Sequence, residues 1–429
     1  MSTTSSPPGT RSSSTVPRAG FFSRLGPREL LLLALITAAG PMTIDLYLPA
    51  YPTLAAEFGV AETQVQLTLT ACVFGLALGQ LVIGPVADRV GRRLPVVVGL
   101  AGWAVASLLV AAAPTLELLT LGRFVQGFVV AAGMVTARAI LRDLSSGQDL
   151  ARAFARLFLV VGAVPLVAPF LGSLLLEATS WRGVFVVLAV VGLLLSVLTA
   201  IALPETLPRE MRTPVPVRSL AGSYGRLLAD RSFIAPAMMA SLAFAGLFVY
   251  INGSSFVLQE QFGLSQLAYG TVFGAVTISL IVGSQLSSVL VGRFGLVTVL
   301  RAAPIVGSVA IGTVFAFSLL GDLPLVVLIA GLMAAMGVVG LAMPAASAHV
   351  LNSQPAARAG LASGLVGVLQ FAVGGAVSPL ASVMGTVTAS SMTGLMALLF
   401  AASAATAFAV RGGRAERRTI DDPVDALEA

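Results

Sequence analysis

Lysine is absent from this sequence of 429 residues; all 25 basic side chains are arginine. We read that bias as a GC-rich codon signature, not as function. Histidine and cysteine occur once each, at His349 and Cys72. One cysteine excludes an intrachain disulfide and a Cys-based metal site, and the pair cannot build a His/Cys metal centre. No metal and no cofactor is expected. Charge is equally scarce: 10% of residues are charged, against roughly 25% in a soluble domain. Such a chain cannot cover a water-facing surface. What is present instead is apolar, with 57% hydrophobic residues and a mean hydropathy of +0.96. The composition is that of an integral membrane protein.

A spanning helix needs about 20 predominantly apolar residues. Twelve such runs can be marked, near 29–50, 64–87, 94–114, 117–138, 154–177, 182–203, 232–257, 267–290, 296–319, 324–349, 359–383 and 389–410. Cytoplasmic loops favour arginine and lysine. With both termini placed in the cytoplasm, every arginine except Arg123 and Arg182 falls in an inner loop, a tail or the inner end of a span. The net charge of +6 is therefore a topology signal, and no nucleic-acid partner is expected. Polar, Ser/Pro-rich residues 1–28 lack the apolar core of a signal peptide and are expected to form a disordered cytoplasmic tail, as are residues 411–429. A proline-rich central loop over 204–231 separates a first six-helix half (29–203) from a second (232–410). "DRVGRR" from Asp88 and "GRFGLV" from Gly292 align at an offset of 204 residues, which also lays the first span on the seventh. Two similar six-span halves suggest a transporter with its substrate site between them.

Several motifs carry more specific information. "GPVADRVGRR" supplies Gly84, Asp88, Arg89, Gly91, Arg92 and Arg93 between the second and third spans. "LGRFVQGFVVAAG" places Arg123 within the fourth span, and "GAVPLVAPFLGS" places Gly162, Pro169 and Gly172 in the fifth. "IDLYLPAYP" ends the first span, and "ARAILRD", "WRGVF", "LPETL", "FVLQEQFGLS" and "RAGLASGLVGVLQF" follow in order. This series resembles the major facilitator superfamily and, within it, the Bcr/CflA drug-resistance transporters, from about residue 28 to 410. The resemblance implies an all-α membrane fold of twelve helices. It also implies a cytoplasmic gate at the Gly84–Arg93 loop, where two glycines permit a tight turn and Asp88 docks near the start of the eleventh span, at 355–360. The fifth-span motif resembles that of drug antiporters but departs from it at Ala168 and Ser173.

Asp45 is the one carboxylate in the interior of a first-half span, Glu117 and Glu177 standing at span boundaries, and spans of the second half carry none. A charge at mid-bilayer costs at least ~2.5–3.5 kcal/mol, so it is retained for a function or a partner. Asp45 and Arg123 lie at similar depths and are expected to interact, directly or through water, as the proton-coupling pair; a permanent pair that only fixes helix register is the bland alternative. Tyr47, Met134, Phe248, Tyr250, Asn252, Gln370 and Phe371 are candidates for a broad, mostly apolar substrate cavity, and for each of them ordinary packing is an equal alternative. The resemblance implies a monomeric, proton-coupled exporter of small amphipathic drugs, bicyclomycin- or phenicol-like, in a bacterial plasma membrane. A proton-coupled importer or a sugar or metabolite exporter stays open on the same fold. A membrane-embedded enzyme or receptor is a distant alternative, since no nucleophile–base pair and no sizeable soluble domain is visible.

Overall fold

The computed structural model describes residues 26–145, 147–212, 217–321, 323–353, 356–377, 379–380 and 386–408, and all regular elements among them are helical. In chain order they are α1 (Pro27–Asp45), α2 (Tyr51–Phe58), α3 (Glu62–Val90), α4 (Arg93–Ala111), α5 (Leu116–Leu144), α6 (Gly147–Ala178) and α7 (Trp181–Ala202). There follow α8 (Val217–Ala229), α9 (Arg231–Phe256), α10 (Gln266–Phe294), α11 (Leu296–Leu319), α12 (Leu325–Ser353), α13 (Ala356–Val377) and α14 (Ala389–Ala407). Ten stretches of helix among the described residues are long and apolar enough to cross a membrane, and Gly162–Ala178 and Gly364–Val377 are shorter apolar helices in the fifth and eleventh expected runs. Apolar side chains also cover the outside. Leu109, Leu193, Leu194 and Val309 all stand more than half exposed, which a water-soluble monomer avoids over so wide a surface. This is a multi-pass membrane protein.

Three local features differ from the sequence reading. First, α1 stops at Asp45 rather than running to residue 50. The chain turns through a 3-10 segment, Leu48–Ala50, into the short α2. Pro49 and Pro52 lack the N–H groups that would continue the helix. Second, Gly84 is not part of a turn. It lies inside α3 together with Asp88 and Arg89, and the turn to α4 is only Gly91 and Arg92. Third, residues 204–231 hold the helix α8, which begins after the prolines of that segment. Nearly all of the two tails, and the docking expected for Asp88 at 355–360, lie outside the described residues and side chains.

The internal repeat is visible in the helix ends. α3 and α10 are both 29 residues long, and the pairs Glu62/Gln266, Val90/Phe294 and Gly91/Gly295 are each 204 residues apart. Gly91 and Gly295 both take positive φ, at 106° and 82°, so each repeat ends its helix in a conformation that a side chain resists. α3 packs on α5, and α10 on α12, through glycine. Gly127 leaves no room for a Cβ against the Cys72 carbonyl, nor does Gly283 against that of Gly337. In lipid, small residues of this kind let helix backbones approach closely. α1 and α3–α7 pack mainly with one another, as do α9–α14; α6 meets α10 and α3 meets α13 across the join.

Gly91 has a second constraint. A Cβ there would collide with the Glu205 carboxylate and the Arg212 guanidinium. Gly91→Val is expected to lower stability by about 1–3 kcal/mol from backbone strain alone. Gly292, with nothing within 4 Å of its would-be Cβ, is the control: Gly292→Ala should not lower the thermal midpoint of detergent-solubilised protein.

Candidate functional site

Asp45 sits at the C-terminal end of α1 with its side chain buried, and its Oδ1 has no hydrogen-bond partner. The backbone of the next residue, Leu46, is in contact with α6: Gly172 lies so close to the Leu46 carbonyl oxygen that no Cβ would fit. Two phenols of the second helix group lie within electrostatic range of Asp45. Asp45 interacts electrostatically with Tyr250 on α9 and Tyr269 on α10. The Tyr250 hydroxyl is also buried without a hydrogen-bond partner, its ring stacked on Phe273 at 5.1 Å. Tyr269 shares a hydrogen bond with Ser254 at 3.3 Å.

Of the expected interaction with Asp45, direct or through water, the structure shows no direct ion pair: Arg123 is held elsewhere. Its guanidinium lies over the Tyr47 ring, 4.2 Å from the centroid, and 5.5 Å from that of Phe185. Nη1 donates to Gln126 Oε1, and Gln126 in turn donates to Ser107 Oγ at 2.7 Å. The reason is local: Gln126 is one turn along the same helix, and two aromatic faces stabilise a desolvated cation. The Nε and Nη2 atoms of Arg123 remain unpartnered. Tyr47, expected in the cavity wall, is thus the support of Arg123. Its hydroxyl lies 3.0 Å from Thr68 Oγ1 and 3.2 Å from Tyr51 OH.

Hydrogen bonds between the two helix groups cluster at the arginine-poor end. Tyr51 OH donates to Asn252 Oδ1 at 3.1 Å, and Gln66 Nε2 to the Asn252 carbonyl at 3.2 Å. Ser255 Oγ donates to the Leu48 carbonyl at 2.7 Å, and Gln259 to that of Pro49 at 3.2 Å. Ser173 donates to the Gln266 carbonyl at 2.7 Å, and the Val387 N–H to Glu62 Oε2 at 2.6 Å.

At the arginine-rich end the charged motifs converge within the first helix group. Arg92 binds Asp88 and, through Nε at 3.0 Å, Asp143 of the "ARAILRD" segment. Glu205 of "LPETL" accepts from the backbone N–H groups of Arg92 and Arg93 at 2.8 and 3.4 Å. It lies 3.6 Å from Arg212. Glu205 thereby caps the positive end of α4 from a distant loop. Burial opposes the Arg92 charge, but Asp88 and Asp143 outweigh it and hold its pKa above the ordinary arginine value. Arg89 lies in the last turn of α3, and the Arg93 side chain donates to the Ala200 carbonyl.

A profile described as Major Facilitator Superfamily matches residues 31–379. The chain belongs to that superfamily. A Bacillus subtilis relative, named as the uncharacterized MFS-type transporter YdgK, is 36% identical over 371 residues, covering 85% of this chain and 90% of that one. The Haemophilus influenzae bicyclomycin resistance protein homolog is 31% identical over 363 residues, covering 85% and 91%. A solved bacterial homolog of the human lysosomal transporter Spinster shares the fold, with a TM-score of 0.66 at 15% identity, covering 89% of this chain and 94% of that one.

Within this superfamily fold the other candidates divide. Phe248 and Phe371 form an aromatic cluster with Phe244, centroids 5.1–6.0 Å apart. Gln370 Nε2 approaches Met343 Sδ at 3.7 Å. These five side chains belong to α9, α12 and α13. Met134 is buried against Gly40 of α1. Asn252 takes part in the junction between the helix groups, bonded to Tyr51 and Gln66. Pro169 lies on the α6 surface that meets Gly270 of α10, Gly172 on the surface that meets Leu46, and Gly162 has nothing within 4 Å of its would-be Cβ. Sequence reasoning missed Gln126, Tyr51, Gln66 and Tyr269. Gln126 was visible in the Arg-x-x-Gln spacing, which puts both residues on one face; the others meet across contacts about 200 residues apart and left no local signal.

Proposed function

We propose that this protein is a proton-coupled exporter of small amphipathic drugs. It has twelve spans, both termini in the cytoplasm, and works by alternating access in a bacterial inner membrane. The observation that carries the reading is Asp45, a buried carboxylate at the junction of the two helix groups with one oxygen unpartnered. A negative charge there is opposed by burial and by the C-terminal end of the α1 dipole. Its carboxyl group is therefore suited to carry a proton between two aqueous compartments. Arg123, held on Tyr47, serves as a fixed positive charge at a similar depth that favours proton release when the halves rock. Resistance-related names among the relatives support a drug cargo, bicyclomycin among the compounds to test. Junction bonds gathered at the arginine-poor end support a conformer closed outward and open to the cytoplasm, as needed for loading. The aromatic and methionine surfaces of Phe244, Phe248, Phe371 and Met343 suit ligands of varied shape.

Inverted membrane vesicles with an acidified interior provide the test. Labelled bicyclomycin or a phenicol is expected to accumulate inside, with accumulation abolished by a protonophore. Uptake that ignores the pH gradient, or flux in the opposite direction, would overturn the reading.

A further inference from the structure

Two of the bonds that join the helix groups at the arginine-poor end come from hydroxyls with a second acceptor on their own side. Tyr51 OH donates to Asn252 Oδ1 of α9 at 3.1 Å and lies 3.2 Å from Tyr47 OH of the first group. Ser173 Oγ lies 2.7 Å from the Gln266 carbonyl at the start of α10 and 2.8 Å from the Pro169 carbonyl of its own helix. A hydroxyl has one proton to give. Each therefore bonds fully to one side of the junction at a time. Gln66 and Gln259 also reach across, but an amide carries two protons and faces no such choice.

The surrounding groups fix where the protons go. Thr68 Oγ1 donates to the Val65 carbonyl at 2.7 Å, which uses its only proton. Tyr47, 3.0 Å away, is then the donor to Thr68, and its oxygen is left able to accept from Tyr51. Tyr47, Tyr51, Thr68, Asn252 and Ser173 are all fully buried. No bulk water shares these bonds while the junction is shut, and a buried donor stripped of its acceptor is costly. Separation of the groups strips neither donor. Rotation of the O–H bond alone turns Tyr51 to Tyr47 and Ser173 to Pro169, both already within hydrogen-bond distance. The acceptors left behind, Asn252 Oδ1 and the Gln266 carbonyl, are the groups whose partners are more easily spared.

We propose that Tyr51 and Ser173 form a hand-over latch at this end of the transporter. Shut, each hydroxyl donates across the junction; open, each donates within the first helix group. Because every donor has an acceptor in both states, the end parts without passing through a state of orphaned protons, and it closes again by the same rotation. Tyr51 and Ser173 are thus positioning residues for the rocking step, acting on helix placement and not on cargo. Ser173 stands where the fifth-span motif departs from the drug-antiporter pattern, so this half of the latch belongs to this chain and not to the motif. The inference rests on the alternating-access part of the proposed function, and on neither its cargo nor Asp45 as the proton carrier.

Full-length protein with Cys72→Ala, Ala56→Cys and Leu320→Cys, nitroxide-labelled in lipid nanodiscs, reports the separation of the helix groups at this end by double electron–electron resonance. Tyr51→Phe and Ser173→Ala each remove one hydroxyl and keep the packed shape. Each is expected to lower the ratio of short to long distances by about fivefold, the effect of losing one neutral hydrogen bond. Tyr47 makes its described contacts within the first group, and Tyr47→Phe deprives Tyr51 of its acceptor when the junction parts. On the Ser173→Ala background, where the long distance is populated, Tyr47→Phe should therefore raise the ratio by about twofold. A residue that merely stiffened the first group would not shift the distribution toward closure. An unchanged ratio in either Tyr51→Phe or Ser173→Ala would overturn the latch, as would a Tyr47→Phe ratio at or below that of its background. No drug and no gradient enter the measurement, so failure of the export reading would leave the distances standing, and failure of the latch would leave Asp45 its role.

Discussion

Asp45→Asn is expected to abolish proton-driven accumulation of drug while leaving the protein folded and present in the membrane. The amide has nearly the shape of the carboxylic acid, and the site is buried with one oxygen unpartnered, so the packing of α1 on α6 should hold. What disappears is the ability to take up and release a proton. One elementary charge crossing 100 mV supplies about 2.3 kcal/mol, and one pH unit adds about 1.4 kcal/mol. For a neutral drug this sustains a concentration ratio of about several hundredfold. In reconstituted vesicles the Asn variant should bring that ratio to about one, whatever the imposed gradient. Drug–drug exchange with no gradient should continue, because the candidate cavity residues and the contacts between the helix groups are untouched. Full uphill transport by Asp45→Asn, at matched abundance, would remove Asp45 from the coupling step.

The contrast between Asp45 and Arg123 shows what a sequence can reveal about such a site. Each residue was conspicuous because a charge in an apolar run is costly. Their depths followed from counting 1.5 Å per residue along each helix. Their direction did not. A direct pair would need the two side chains to face each other, whereas Arg123 is held by two aromatic rings and a glutamine on its own helix. The offset of 204 residues was legible because it is written in glycines, and a glycine that ends a helix at positive φ keeps its place in both repeats. The end of α1 was missed for a related reason: Pro49 and Pro52 were read as part of a motif before being read as helix breakers. Junction partners such as Tyr51 and Asn252 leave no mark in composition or periodicity, since nothing local requires them to meet.

The fifth-span motif gives the second large effect, and the structure separates its glycines. Gly172 of α6 rests on the Leu46 carbonyl, one residue from Asp45, with no room for even a methyl group. Backbone cannot give way as a flexible side-chain tip can. Gly172→Ala must therefore move α6 off α1, where overpacking costs typically ~1–3 kcal/mol. The same shift disturbs Ser173, whose hydroxyl donates across the junction to the Gln266 carbonyl. Gly162 lies on the same helix, ten residues earlier, in open space. Gly162→Ala should be neutral or stabilising by up to ~1 kcal/mol, because alanine is the better helix former. Thermal unfolding in detergent and drug accumulation in vesicles are the paired measurements. The expected result is a lowered midpoint with transport reduced by more than about tenfold for Gly172→Ala, and neither change for Gly162→Ala. Equal losses at both positions would mean that the motif acts through helix flexibility rather than through the contact beside Asp45. Transport lost at Gly172 with an unchanged midpoint would mean that the contact is needed for rocking and not for folding.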